Sequence, residues 1–164
     1  DHRETRREPL TTVQTYRTEL RDALATLYKD CLDHYKLPRA PQKTKDPIIG
    51  FLDAGKYLSC DLACDGARRV GFVTEALTFP ARSRTAIFMK ELFVLATAQS
   101  NGVERTLMDA LSQAAKRRGC AWIDWQTDRS KTTSQKFHSG LGVPSFDKVP
   151  YWIDAAQLAE FEGD

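Results

Sequence analysis

What this sequence lacks narrows it first. No apolar run approaches the ~18 residues that a membrane-spanning helix needs, so no membrane partner is expected. An excess of one charge is missing too: 24 Lys and Arg stand against 22 Asp and Glu, a formal net charge of +2. The basic residues are scattered apart from Arg6-Arg7 and Lys116-Arg117-Arg118. Without a basic face, nucleic acid is not an expected partner. Internal repeats and low-complexity segments are absent, which argues against a repeat architecture. Cysteine is sparse, and the four present, Cys31, Cys60, Cys64 and Cys120, form no framework. Cys60 and Cys64 fall four apart in what reads as a strand, on one face and roughly 13 Å from each other. That is too far for a mutual disulfide and wrong for a zinc knuckle. Buried or half-buried free thiols fit a reducing compartment, hence a cytoplasmic expectation. The chain opens on Asp1 rather than Met, and no targeting segment is expected within it.

What is present is an ordinary globular composition. Of 164 residues, 41% are hydrophobic and 28% charged, which suits one domain with one core. Residues 1–11 are polar and crowded with Arg and Glu, and read as a flexible tail before a single domain over 12–164. Val13 to Tyr16 reads as a first strand. From Thr18 the apolar residues Leu20, Leu24, Leu27, Cys31 and Tyr35 recur at helical spacing. Pro38 to Pro47 holds three prolines and reads as a loop, a natural place for recognition on a rigid scaffold, with Ile48 to Leu52 a short helix after it. Tyr57 to Cys64 and Val70 to Phe79 flank Asp65-Gly66-Ala67-Arg68-Arg69 as a hairpin. A turn around Pro80 to Ser83 leads to Ala86–Leu95, a strand apolar on both faces except at Lys90 and Glu91, as a sheet centre covered on both sides requires. Val103, Leu107, Ala110, Leu111 and Ala114 draw the stripe of a helix that ends in Lys116-Arg117-Arg118 and stops at Gly119. Trp122 to Thr127 then reads as a strand, Lys131 to Leu141 as a helix ending at Gly142, and Val149 to Ile153 as a last strand. Tyr151 and Trp152 on that strand are expected in the core and at its rim.

The stretch that carries chemistry is Glu91 to Gly119: strand, glycine-containing loop, amphipathic helix. Backbone N–H groups at a helix start, favoured by the helix dipole, form a ready site for a phosphate or pyrophosphate. Gln99-Ser100-Asn101-Gly102 is that loop. On its own, one glycine between a strand and a helix is usually just a turn. The joint spacing of further motifs makes the chain resemble the GNAT superfamily of N-acyltransferases over roughly Thr85 to Gly142. Glu91-Leu92-Phe93-Val94 resembles that family's central strand, and Gln99-x-x-Gly102 its acyl-CoA loop. Trp125-Gln126-Thr127 and Phe137-His138-Ser139-Gly140-Leu141-Gly142 resemble the strand and helix that follow.

The resemblance implies an α/β fold, with a mixed, mostly antiparallel central sheet flanked by helices on both faces. It also implies transfer of an acetyl group from acetyl-CoA to a small-molecule or peptide amine, with no covalent enzyme intermediate. Backbone groups of Leu92, Phe93 and Val94 would then hold the pantetheine arm. The N–H groups of Gln99, Ser100, Asn101, Gly102, Val103 and Glu104 would hold the pyrophosphate, with Lys131, Ser134 and Phe137 as further cofactor contacts. A homodimer is left open.

Four positions depart from the family pattern. Glu104 stands where Gly or Ala is usual, and a carboxylate ~4 Å from a phosphate at an effective dielectric near 20 costs ~4 kcal/mol. Turned outward, it is an ordinary first-turn acid. Ser100 replaces a Gly. His138 falls where a Tyr commonly protonates the leaving thiolate. An imidazolium of pKa ~6.5 is able to do that, and a plain helix-face residue is the other reading. Lys131 replaces an Asn, and reads either as a phosphate contact or as a solvated side chain. Glu91, which interrupts an apolar strand, is the candidate general base, or else reaches solvent at a bulge or strand end. Asp124 and Asp128 read as surface acids or as supplements to a cationic-amine site. Two functions remain: an N-acetyltransferase, or a catalytically degenerate module of the same fold that binds a protein partner or another ligand.

Overall fold

The computed structural model describes residues 11–37, 47–80, 84–99 and 101–161. The chain divides into two compact units, 1–126 and 127–164.

In the first unit, β1 (Thr11–Thr15) leads through a short 3-10 turn to α1 (Arg21–His34). Then come α2 (Pro47–Ala54), β2 (Ser59–Asp65), β3 (Arg68–Thr78), β4 (Ala86–Val94), α3 (Val103–Arg117) and β5 (Ile123–Asp124). The sheet runs in sequence order, β1-β2-β3-β4-β5. The first three pairings are antiparallel and β4–β5 is parallel, so the sheet is mixed and mostly antiparallel, as expected. A parallel neighbour needs a crossover, which α3 supplies. The β2–β3 hairpin closes on Gly66-Ala67 between the paired Asp65 and Arg68. Gly66 takes φ 61°, a conformation in which a Cβ is strained. The foreseen loop over 38–47 falls outside the described residues except for Pro47, which opens α2. The turn over 80–83 likewise falls outside them beyond Pro80.

The periodic stripe on α1 is buried as its spacing requires. Leu24, Leu27, Tyr28 and Cys31 join Leu52, Cys60, Leu62, Phe72 and Phe93 in one core cluster. Tyr28 stacks on Phe72 with ring centroids 5.2 Å apart, and Phe72 meets its cross-strand partner Phe93 at 5.9 Å. The other face of the sheet is covered by α3, through Val103, Leu107, Met108, Leu111 and Ala115. Gly119 ends that helix at φ 67°. The four cysteines are free, and all but Cys120 are buried. Between β3 and β4 the backbones nearly touch at Gly71, where a Cβ would lie 2.6 Å from the Phe93 carbonyl oxygen.

The sheet's main irregularity lies on β4. Thr74 pairs with Glu91, yet the next residue of β3, Glu75, pairs with Met89. Lys90 is therefore the extra residue of a β-bulge. The strand expected at Trp122–Thr127 is shorter than foreseen: only Ile87–Ile123 and Phe88–Asp124 are paired, so β5 holds two residues.

The second unit holds α4 (Thr132–Gly140) and α5 (Ala155–Glu160). The strand expected at Val149–Ile153 is not formed. Those residues have no regular structure, and Tyr151 and Trp152 are 93% and 82% exposed rather than core and rim. Pro150 lies within this run and has no N–H to offer a ladder. Asp154 instead starts α5 with a capping box, accepting from the Gln157 N–H while its own N–H donates to the Gln157 side chain. Among the described residues no helix is long and apolar enough to cross a membrane.

Candidate functional site

The bulge on β4 organises the first unit's candidate site. Two adjacent charged residues in an alternating strand would point to opposite faces. The extra residue cancels that alternation, so Lys90 and Glu91 both belong to the face that carries Phe72 and Phe93. Glu91 is half-buried, and its N–H donates to Thr74 Oγ1 at 3.2 Å. Thr74 is 1% exposed, so its hydroxyl serves an amide beside the interrupted ladder. Leu92 is half-buried and Phe93 and Val94 are buried. Among the described residues, the β4 edge on the β5 side has no strand partner beyond Phe88.

The loop after β4 is tied down by its own groups. The Leu95 N–H donates to the Val70 carbonyl at 2.8 Å, and the Gln99 N–H donates to the Leu95 carbonyl at 3.1 Å. The Gln99 side-chain amide folds back onto the Val94 carbonyl at 3.1 Å. Gln99 thus closes the end of the strand with its side chain, a role that the loop motif did not reveal. Ser100 lies outside the described residues, and Asn101 is exposed. Gly102 is the N-cap of α3 at φ 74°, and no side chain caps that end. The Thr106 N–H donates to the Gly102 carbonyl at 3.0 Å, so in helix geometry the amides of Val103, Glu104 and Arg105 precede the first intrahelical bond. Glu104 sits in that first turn, half-buried, where a negative charge suits the helix dipole.

Two further features of the first unit escaped the sequence reading. Glu75, 5% exposed, bonds to Arg118 just past α3 at 2.5 Å and pins the helix terminus to β3. Its oddness was visible as an acid inside an apolar strand, and Arg118 was visible only as part of a basic last turn. The second is an apolar pocket of about 470 Å³ on the bulge face, lined by Phe51, Tyr57, Leu58, Ala76 and Lys90. The adjacent charges Lys90-Glu91 were its available signal, because a bulge is what lets both share one face.

In the second unit, Lys131 is the N-cap of α4 and pairs with Asp128 at 3.3 Å. Gln135 bonds the carbonyls of Asp128 and Arg129 and fixes the turn leading into the helix. Ser134, Phe137 and His138 are half-buried, and the rings of Phe137 and His138 meet at 5.1 Å. Burial lowers the His138 pKa, which disfavours the imidazolium form. Asp124, in the first unit, accepts from Trp122 Nε1 at 2.8 Å.

A model of the acetyltransferase (GNAT) family matches residues 19–143. The chain belongs to the GNAT family.

Among GNAT proteins, the aminoglycoside N(6')-acetyltransferase type 1 of Salmonella typhimurium is 29% identical over 70 residues. That match covers 43% of this chain, and the chain spans about half (48%) of the length of that relative. In fold, AAC(6')-Iy in complex with a bisubstrate analogue superposes with a TM-score of 0.76 at 19% identity, over 88% of this chain and 98% of that one. The same enzyme has been solved with CoA, with a TM-score of 0.75 at 18% identity over 89% of this chain and 95% of that one. A ribosomal-protein-alanine N-acetyltransferase from Brucella melitensis biovar Abortus gives a TM-score of 0.72 at 17% identity, over 88% and 99% of the two chains. At these identities the superpositions establish the GNAT fold.

Proposed function

We propose that this GNAT chain is an acetyl-CoA-dependent N-acetyltransferase acting on a primary amine. The observation that carries the reading is the β4 edge, which among the described residues has no strand partner on the β5 side beyond Phe88, in a strand that leads to a glycine-capped helix start. An unpaired strand edge accepts an extended amide-bearing arm as it would another strand, and the uncapped amides of α3 accept an anion. The AAC(6')-Iy structures with CoA and with a bisubstrate analogue support the same donor here.

On this reading the backbone of Leu92, Phe93 and Val94 holds the pantetheine arm. The amides of Asn101, Gly102, Val103 and Glu104 hold the pyrophosphate, the Gln99 amide being already given to the Leu95 carbonyl. The neutral amine attacks the thioester carbonyl carbon; the C–N bond forms as the C–S bond breaks. Glu91 takes the proton leaving the amine, and the thiolate takes one from solvent; burial disfavours the imidazolium of His138, which makes it a poor donor at neutral pH. The net change is amine plus thioester to amide plus thiol. Positioning supplies most of the acceleration, and proton transfer contributes a further ~100–10,000-fold. Small-molecule amines are the acceptors implied by the aminoglycoside acetyltransferases among the relatives. The free cysteines fit a reducing compartment such as the cytoplasm.

Glu104 favours a second reading, a module that kept the fold and lost the cofactor, since a carboxylate turned toward a pyrophosphate repels it. A thermal shift with acetyl-CoA separates the two. Ligand at ~100 times its dissociation constant adds ~2.7 kcal/mol and raises the melting point by several degrees. No rise at millimolar acetyl-CoA excludes the transferase.

A further inference from the structure

The bulge-face pocket has a one-sided chemistry. Among the described lining residues, Phe51, Tyr57, Leu58 and Ala76 are apolar or aromatic, and Lys90 alone is charged. Phe51 and Tyr57 meet edge to face at 6.0 Å, so the wall is aromatic. The Lys90 ammonium sits 5.5 Å from the Phe88 ring centroid, which holds the cation near the sheet surface. The nearby α2 carboxylate, Asp53, is engaged by Tyr16 and Arg21. The pocket is an open depression of about 470 Å³, with Phe51 49% and Tyr57 68% exposed along its wall.

A polycation meets the Lys90 ammonium among these lining residues, with one acid, Glu91, beside it on the same face. A ligand with an apolar or aromatic body and one carboxylate satisfies both the wall and the ammonium. Lys90 and Glu91 are adjacent on the same face, so a carboxylate at the first would leave an amine on the neighbouring carbon close to the second. We infer that this pocket selects a zwitterionic acceptor, an amino acid with an aromatic or branched aliphatic side chain, with Lys90 as the specificity-determining residue for its carboxylate. The assignment of the amine as the reacting end rests on the acetyltransferase reading; the binding preference does not.

The test is equilibrium binding to the purified full chain by titration calorimetry, using L-phenylalanine, L-phenylalaninamide and the aminoglycoside kanamycin as probes. Loss of one charge-assisted contact predicts about tenfold weaker binding of the amide than of the acid. That ratio falls to about one in Lys90→Gln and inverts in Lys90→Glu, while both variants, changed at an exposed position, keep the wild-type melting point. Equal or tighter binding of the amide or of kanamycin, a preference that survives Lys90→Gln, or no binding of L-phenylalanine overturns the inference. Acetyl transfer to kanamycin but not to L-phenylalanine refutes the inference and leaves the transferase standing. Lys90-dependent binding of L-phenylalanine without any acetyl-CoA binding supports the pocket and refutes the transferase.

Discussion

The Glu91 amide donates to the hydroxyl of Thr74 across the β3–β4 ladder at the residue pair where the regular register ends. The next step of β4 is the extra residue Lys90, and two pairs beyond it the contact with β5 begins. A single buried hydroxyl therefore supports the bulge that places the candidate base and the pocket cation side by side.

Thr74→Val keeps the side-chain shape and removes that acceptor. A buried amide left unsatisfied costs ~1–3 kcal/mol. Urea denaturation is expected to show that loss, and kcat for acetyl transfer is expected to fall with it, because Glu91 is no longer held in register.

Arg118→Ala leaves the carboxylate of Glu75 buried beneath the end of α3. Breaking a buried pair costs ~3–5 kcal/mol, but Arg118 is 36% exposed, so screening reduces the expected loss to ~1–3 kcal/mol. Glu75→Leu combined with Arg118→Leu is expected to recover most of it. Comparing the three proteins by chemical denaturation checks both statements.

Much of this arrangement was legible in the sequence wherever a local pattern determined it. The apolar stripes of α1 and α3, the Gly66-Ala67 turn and the stop at Gly119 each depend on residues within a few positions of one another. The extent of β5 was not legible, because it depends on pairing with another strand. Val149–Ile153 has strand-forming residues but carries Pro150, and the capping box Asp154-x-x-Gln157 directly after it was the stronger signal. Of the candidate site, the loop and strand were placed from sequence. The Glu75–Arg118 pair, the Thr74 hydroxyl and the pocket all join residues brought together by cross-strand register or by packing, which spacing along the chain does not encode.

Burial lowers the His138 pKa below the ordinary ~6.5. As pH falls through that value the unfolded chain binds a proton that the folded chain resists, so stability declines and levels off once the folded histidine also titrates. His138→Gln removes this dependence. Denaturant midpoints for both proteins at pH 7.5 and 5.5 are expected to fall with acidification more in the wild type than in the variant.

Glu104→Ala removes the charge that opposes a pyrophosphate at the start of α3. Acetyl-CoA is expected to bind severalfold more tightly, with a smaller gain at high salt because screening already weakens the repulsion. Calorimetric titration at two ionic strengths measures this directly.

The central claim is that acetyl-CoA lies along the open edge of β4 and over the amides that begin α3. Hydrogen–deuterium exchange with and without acetyl-CoA tests it at the residues concerned. The account predicts slowed exchange in peptides spanning residues 91–95 and 101–106, with no comparable change in β1. Unchanged exchange in both segments at saturating acetyl-CoA, or protection confined to other parts of the chain, would contradict it.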